Sequence, residues 1–249
     1  MKRQNIIITG ASSGLGYTMA KQFAQLGRNL VLCARRLENL KQLKTELESI
    51  NSTIQVCIVE LDVNDHEQVF KVFKDAKQQF GNIDRVIVNA GIGKGASLGT
   101  GYFEANKATA MTNFVAALAQ CEAALEIFRE QNFGHLVTIS SVSSQKGFRG
   151  AFNVYAATKA GLASLTEGIR IDLLKTPIKA TTIHPGYIRT EISHATKKQP
   201  FSVDADTGCK AIVKAIEKEV GVAFVPSWPW AVMRYVLPIL PLSVMRKFS

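Results

Sequence analysis

Short runs rich in β-branched and other apolar residues recur along the chain: "NIIIT" (5–9), "NLVLCA" (29–34), "IQVCIVE" (54–60), "RVIVNA" (85–90), "HLVTIS" (135–140), "KATTIH" (179–184) and "VGVAFV" (220–225). Apolar at nearly every position rather than at alternate ones, they predict strands covered on both faces. Between them, residues 15–26, 37–49, 66–79, 104–131, 154–175 and 205–218 carry the spacing of helices with one apolar side. Strand and helix in repeated alternation predict an α/β fold, a doubly wound parallel sheet of about seven strands with helices on both faces. No linker, repeat or low-complexity segment interrupts the 249 residues, so one domain is expected over 1–249, with 226–249 as an apolar and basic extension.

Sheets of this kind bind ligands beyond the carboxyl ends of their strands, so chemistry is sought just after each run. "TGASSGLG" (9–16) follows the first strand and opens the first helix. Its glycines at 10, 14 and 16 permit a tight turn and close approach of a ligand to the backbone, and a helix N-terminus offers free N–H groups to an anion. Gly10, Ser12, Ser13, Gly14, Leu15 and Gly16 therefore read as a pyrophosphate cradle, with the two serines either donating hydroxyls or capping the helix. The second strand ends at Ala34, where an acidic side chain would select a ribose 2′-hydroxyl, and Arg35 and Arg36 follow at once. Guanidinium pairs with phosphate in a fork, and two cations at a helix start oppose its dipole unless an anion lies near.

In "YAATKAG" (155–161), Tyr155 and Lys159 stand one helical turn apart. Side chains at that spacing lie about 5–6 Å apart at Cβ, close enough for the ammonium to favour phenolate and pull the phenol below its usual pKa of about 10. That is the requirement of a general acid and base near neutral pH.

Composition narrows the picture. The formal net charge is +10, yet no basic run reaches five residues and no nucleic-acid-binding motif is present, so the charge suits a polyanionic small molecule and a nucleic acid partner is not expected. Cys33, Cys57, Cys121 and Cys209 are widely spaced and read as free thiols of a reducing compartment; neither they nor the four histidines show metal-ligand spacing, so no metal is expected. The apolar run in "MKRQNIIITG" is too short for a signal peptide, and a cytoplasmic location is expected.

Taken together, T-G-x-x-x-G-x-G at 9–16, "NAG" at 89–91, the serine of "TISS", Y-x-x-x-K at 155–159 and "HPG" at 184–186 resemble the short-chain dehydrogenase/reductase family over residues 4–192. The resemblance implies a Rossmann fold, a nicotinamide cofactor and a catalytic group of Asn113, Ser141, Tyr155 and Lys159. Ser141 lies fourteen positions before Tyr155, one more than in many members, and Ser140 and Ser143 are alternatives. It further implies that Asp62 and Val63 meet the adenine, that Asn89, Ala90 and Gly91 lie beside the adenine ribose, and that Pro185, Gly186, Ile188 and Thr190 lie on the nicotinamide side. Tyr155 would give the proton in carbonyl reduction, Ser141 would hold the carbonyl oxygen, Lys159 would bind the nicotinamide ribose and lower the tyrosine pKa, and Asn113 would anchor a relay water.

With the two arginines after Ala34, the expected cofactor is NADP (NADPH) and the expected activity interconversion of a carbonyl and an alcohol. A noncatalytic NADP sensor or scaffold on the same fold is the alternative, since fold alone does not set function. Substrate-facing segments implied by the family are 91–103, 144–153 and the region after "HPGYIRTEI", where Phe103, Phe148, Phe152 and Phe201 suggest an apolar substrate. Family members form dimers or tetramers, and a homo-oligomer is expected here. The tail "PSWPWAVMRYVLPILPLSVMRKFS" is expected to pack on its own or a neighbouring subunit, over the cleft or at a contact, with peripheral membrane association as the second reading. Pro238 and Pro241 interrupt it too early for a crossing helix.

Overall fold

The structure, a computed structural model, describes residues 3–190 and 201–248, the last two in backbone only. Seven strands form one parallel sheet: β1 (Asn5–Thr9), β2 (Asn29–Ala34), β3 (Val56–Glu60), β4 (Arg85–Val88), β5 (His135–Ile139), β6 (Lys179–Pro185) and β9 (Val222–Val225). They stand in the order β3-β2-β1-β4-β5-β6-β9. All seven predicted strands are present, with ends within two residues of the predicted ones: four are shorter, and β6 runs one residue further, to Pro185. A separate two-stranded ladder, β7 (Ile188–Arg189) with β8 (Val203–Asp204), was not predicted.

The double winding follows from alternation within fully buried strands. Ile6, Ile8, Leu30 and Leu32 face one side, where they meet Met19 and Phe23 of α1 (Gly14–Gln25), Leu40 and Leu43 of α2 (Leu37–Ile50) and Ile212 and Ile216 of α7 (Ala205–Glu217). Ile7, Val31, Val86 and Val88 face the other, against Val69 and Phe73 of α3 (His66–Phe80), Ala117 and Phe128 of α5 (Ala116–Gln131) and Leu162 of α6 (Phe152–Asp172). Strand order turns back between β1 and β4, which opens a crevice at their carboxyl ends.

At the opposite end of the sheet, Arg85 is 1% exposed and donates from Nε to His135 Nδ1 at 2.9 Å. It shares Glu217 with Arg28, while Glu219 accepts from Arg3 at 2.7 Å. This network ties the entry of β4 and β5 to the end of α7.

The segment 104–131, predicted as one helix, is divided. α4 (Phe103–Ala110) passes into a π turn (Met111–Val115) before α5 begins. The tail forms α8 (Ser227–Ile239) and α9 (Leu242–Phe248). Among the described residues no helix is long and apolar enough to cross a membrane.

Candidate active site

The glycine loop carries left-handed backbone at Gly10 (φ 65°) and Gly14 (φ 60°). A Cβ at Gly10 would lie 2.8 Å from Ala90 Cα, and one at Gly16 would lie 2.5 Å from the Gly10 carbonyl oxygen, so neither position admits a side chain without displacement. Ser13 stands at the N-cap of α1 but makes no side-chain cap. Ser12 and Ser13 instead accept hydrogen bonds from the Arg36 guanidinium, which reaches them from the end of β2 at 3.1 Å and 2.5 Å. An uncapped N-terminus with a guanidinium beside it suits a phosphorylated anion, so the chain's residues fit a dinucleotide.

Arg35 is exposed and lies 4.0 Å from the Asp62 carboxylate. Asp62 does not cap α3, a role taken by Asp65, whose side chain accepts from Gln68 N; it accepts instead from Asn64 N at 3.0 Å in a turn facing the crevice end of β3. Thr9 Oγ1 accepts from the backbone N–H groups of Asn89 and Ala90 at 3.1 and 3.2 Å, and Asn89 Nδ2 donates to the Thr9 carbonyl at 2.8 Å. The ends of β1 and β4 are thus laced together beside the loop. The side chains of Val63 and Ile188 are buried in the core, and that of Leu15, partly buried, packs against it.

Four predicted catalytic side chains converge. Asn113, 1% exposed in the π turn, clamps the backbone on both sides of Ile92: Oδ1 accepts from Ile92 N and Nδ2 donates to Ile92 O, both at 2.8 Å. Its Nδ2 also lies 3.4 Å from Thr158 Oγ1, which donates to the Tyr155 carbonyl at 2.7 Å. Both ends of the amide are therefore committed to protein groups. A Cβ on Gly91 would lie 3.2 Å from Asn113 Oδ1 and 3.5 Å from Lys159 Nζ, which marks the point where loop, π turn and α6 meet.

The three candidate serines separate by orientation. Ser140 is buried and donates to the Lys159 carbonyl at 2.8 Å. Ser143 donates from Oγ to Ser141 Oγ at 2.8 Å, within a 3-10 turn (Val142–Gln145) that follows β5. Ser141 is the one whose hydroxyl acts on the Tyr155 phenol, favouring its ionised form.

The expected lowering of the tyrosine is not found. Burial pushes the Tyr155 phenol up, opposed only by the Ser141 hydroxyl. Lys159 Nζ lies 5.9 Å from the Tyr155 ring centroid and donates to the Ile139 carbonyl at 2.8 Å. Its own pKa is pulled from 10.5 to about 8 by burial. Desolvation of both groups outweighs the attraction that their spacing suggests.

The C-terminal tail completes the far wall through contacts that the sequence does not specify. Trp230 of α8, 5% exposed, closes over Gly186, where a Cβ would lie 2.0 Å from the indole Nε1. Its ring meets Tyr187 edge-on at 5.4 Å and Phe201 at 6.3 Å. Lys146 donates to the Pro238 carbonyl at 2.7 Å, joining α8 to the turn after Ser141. His184 stacks on Phe224 at 4.4 Å and lies 3.0 Å from Ser144 Oγ. The tail thus packs on its own subunit beside Pro185 and Gly186, in accord with the first of its two readings. Of the aromatic candidates, Phe152 meets the Tyr155 ring at 6.2 Å and Phe201 meets Trp230, whereas Phe103 is 71% exposed at the start of α4. The region directly after "HPGYIRTEI" lies outside the described residues.

A short chain dehydrogenase family model matches residues 4–200. An uncharacterized oxidoreductase of Mycobacterium tuberculosis is 52% identical over 247 residues, 99% of this chain and 98% of the relative. An NADP-dependent 3-hydroxy acid dehydrogenase of Schizosaccharomyces pombe is 32% identical over 206 residues, 80% of this chain and 79% of its own. Among solved structures, a short chain dehydrogenase/reductase of Burkholderia phymatum in complex with NAD has the same fold, with a TM-score of 0.83 at 22% identity over 94% of each chain.

Proposed function

The chain belongs to the short chain dehydrogenase family and is an oxidoreductase of that family, and from that premise we propose that it is an NADPH-dependent enzyme interconverting a ketone or aldehyde with an alcohol, Tyr155 giving and taking the proton. The observation that carries the reading is the meeting of the Ser141 hydroxyl, the Tyr155 phenol and the Lys159 ammonium at the carboxyl end of β5.

The glycine loop and the free N–H groups opening α1 would hold the pyrophosphate, and Arg35 and Arg36 the 2′-phosphate. Ala34 offers no carboxylate to a ribose hydroxyl. The NADP dependence named for the Schizosaccharomyces pombe relative supports the same choice. When bound, the nicotinamide supplies or accepts the hydride.

Negative charge grows on the carbonyl oxygen as carbon is reduced, and donors waiting at that oxygen lower the barrier. Ser141, fixed by the Ser143 hydroxyl, donates to the oxygen. Tyr155, its pKa raised by burial, stays protonated through neutral pH and passes its proton there. Lys159 stabilises the phenolate left behind. Asn113 holds the Ile92 backbone and, through it, the floor of the cleft at Gly91.

Tyr155→Phe is the direct test. It should leave NADPH binding unchanged and lower turnover by at least on the order of a hundredfold on any accepted carbonyl. A phenylalanine variant with full activity overturns the mechanism, and a wild type that binds NADPH but reduces nothing across a broad carbonyl panel supports the sensor instead.

A further inference from the structure

Helix α8 is apolar on two sides and buries one. Trp230 and Leu237, seven residues apart, are 5% and 8% exposed and face the protein. Val232 lies about 200° around the helix from Trp230, and Tyr235 and Ile239 share its side. These three are 50%, 65% and 79% exposed. Trp228, just before the regular helix, and Leu242, opening α9, extend the row at 74% and 77% exposed. Val232, Tyr235 and Ile239, three and four residues apart, form one stripe along α8, and Trp228 and Leu242 stand exposed at its two ends, beyond the breaks at Trp228 and Leu240.

The surrounding charge says what the stripe fits. Residues 220–249 contain no Asp or Glu but include Arg234, Arg246 and Lys247. Residues 131–166, which carry the Lys146 contact to α8, likewise contain no acid and add Lys146 and Arg149. The Arg234 guanidinium lies 4.4 Å from the Tyr235 ring centroid, at the edge of the stripe. Two copies of this face would set cation against cation, whereas anionic headgroups above an apolar layer match both the charge and the stripe. Trp and Tyr are the side chains that settle at such a boundary. α8 has 13 residues with Pro238 inside it and α9 has 7, so the element can lie along a bilayer but not cross it.

We propose that the exposed face of α8 and α9 docks the protein in the plane of an anionic lipid bilayer. The test is co-sedimentation of the full chain with vesicles of phosphatidylcholine alone or mixed with phosphatidylglycerol. The wild type should pellet with the mixed vesicles and be released by salt. The double substitution Ile239→Glu with Leu242→Glu removes two exposed side chains, and vesicle affinity should fall by at least about tenfold while circular dichroism and melting temperature stay those of the wild type. Arg246→Glu, which alters charge alone, should weaken binding to the mixed vesicles as well. A wild type that stays in the supernatant with mixed vesicles overturns the proposal. So does a double variant that pellets like the wild type, or one that shifts from dimer to monomer in light scattering, since a second copy would then cover the stripe.

Discussion

Replacing Asn113 by alanine deletes a buried amide whose two ends each make a 2.8 Å hydrogen bond to the Ile92 backbone. Ile92 would be left with an N–H and a C=O lacking partners, and each such group costs about 1–3 kcal/mol when water cannot replace the bond. Ile92 is only half-buried, so some water enters, and the lower part of the range applies. A total of about 2–3 kcal/mol follows, which in a chain of this size lowers the melting temperature by about 5–10 °C. Turnover should fall too, because the released loop carries Gly91 away from Lys159. Asn113→Asp keeps an acceptor for Ile92 N but sets a buried carboxylate against Ile92 O, and should recover none of the lost stability. Circular dichroism melts of the three proteins, with steady-state rates at one temperature, check the series. An alanine variant that melts with the wild type refutes the clamp.

Arg35→Ala should weaken NADPH about tenfold to a hundredfold and leave NADH nearly unchanged, whereas Arg36→Ala, which also releases Ser12 and Ser13, should weaken both; calorimetric titration separates the two, and equal losses from Arg35→Ala would sink the 2′-phosphate assignment. Lys159, held near pKa 8 in the folded chain against 10.5, binds fewer protons than in the unfolded chain between those values, so its contribution makes stability rise with pH across that window, by up to about 3 kcal/mol. The rise should vanish in Lys159→Met. It is read as the difference in urea midpoint between the two proteins from about pH 8 to about pH 10, since Cys33, Cys121 and Cys209, pushed up to about 12 by burial, act in the opposite sense in both.

The strands were legible because burial on both faces leaves unbroken apolar runs, and the glycine loop because it must follow one of them. Helix 104–131 looked continuous because a π turn adds a single residue to an otherwise helical period. Spacing placed Tyr155 beside Lys159 but carries no information on solvation, and solvation decides the direction of both pKa values. Which serine faces the phenol depended on where β5 gives way to the 3-10 turn, a change of direction that "SSVSS" does not encode locally. The tail was legible as a packing segment, but the contact of Trp230 with Gly186 was not, because the two lie more than forty positions apart and Trp228 and the prolines break the period that would have announced the helix.

Trp230 lies thirty positions beyond the last residue matched by the family model, yet it walls the segment after β6. The glycine loop and the tyrosine helix lie within the matched residues 4–200, and this wall lies beyond them. A lineage could exchange its last two helices and redraw that side of the cleft while leaving every family motif untouched. Relatedness measured over the matched region therefore says little about that side of the cleft.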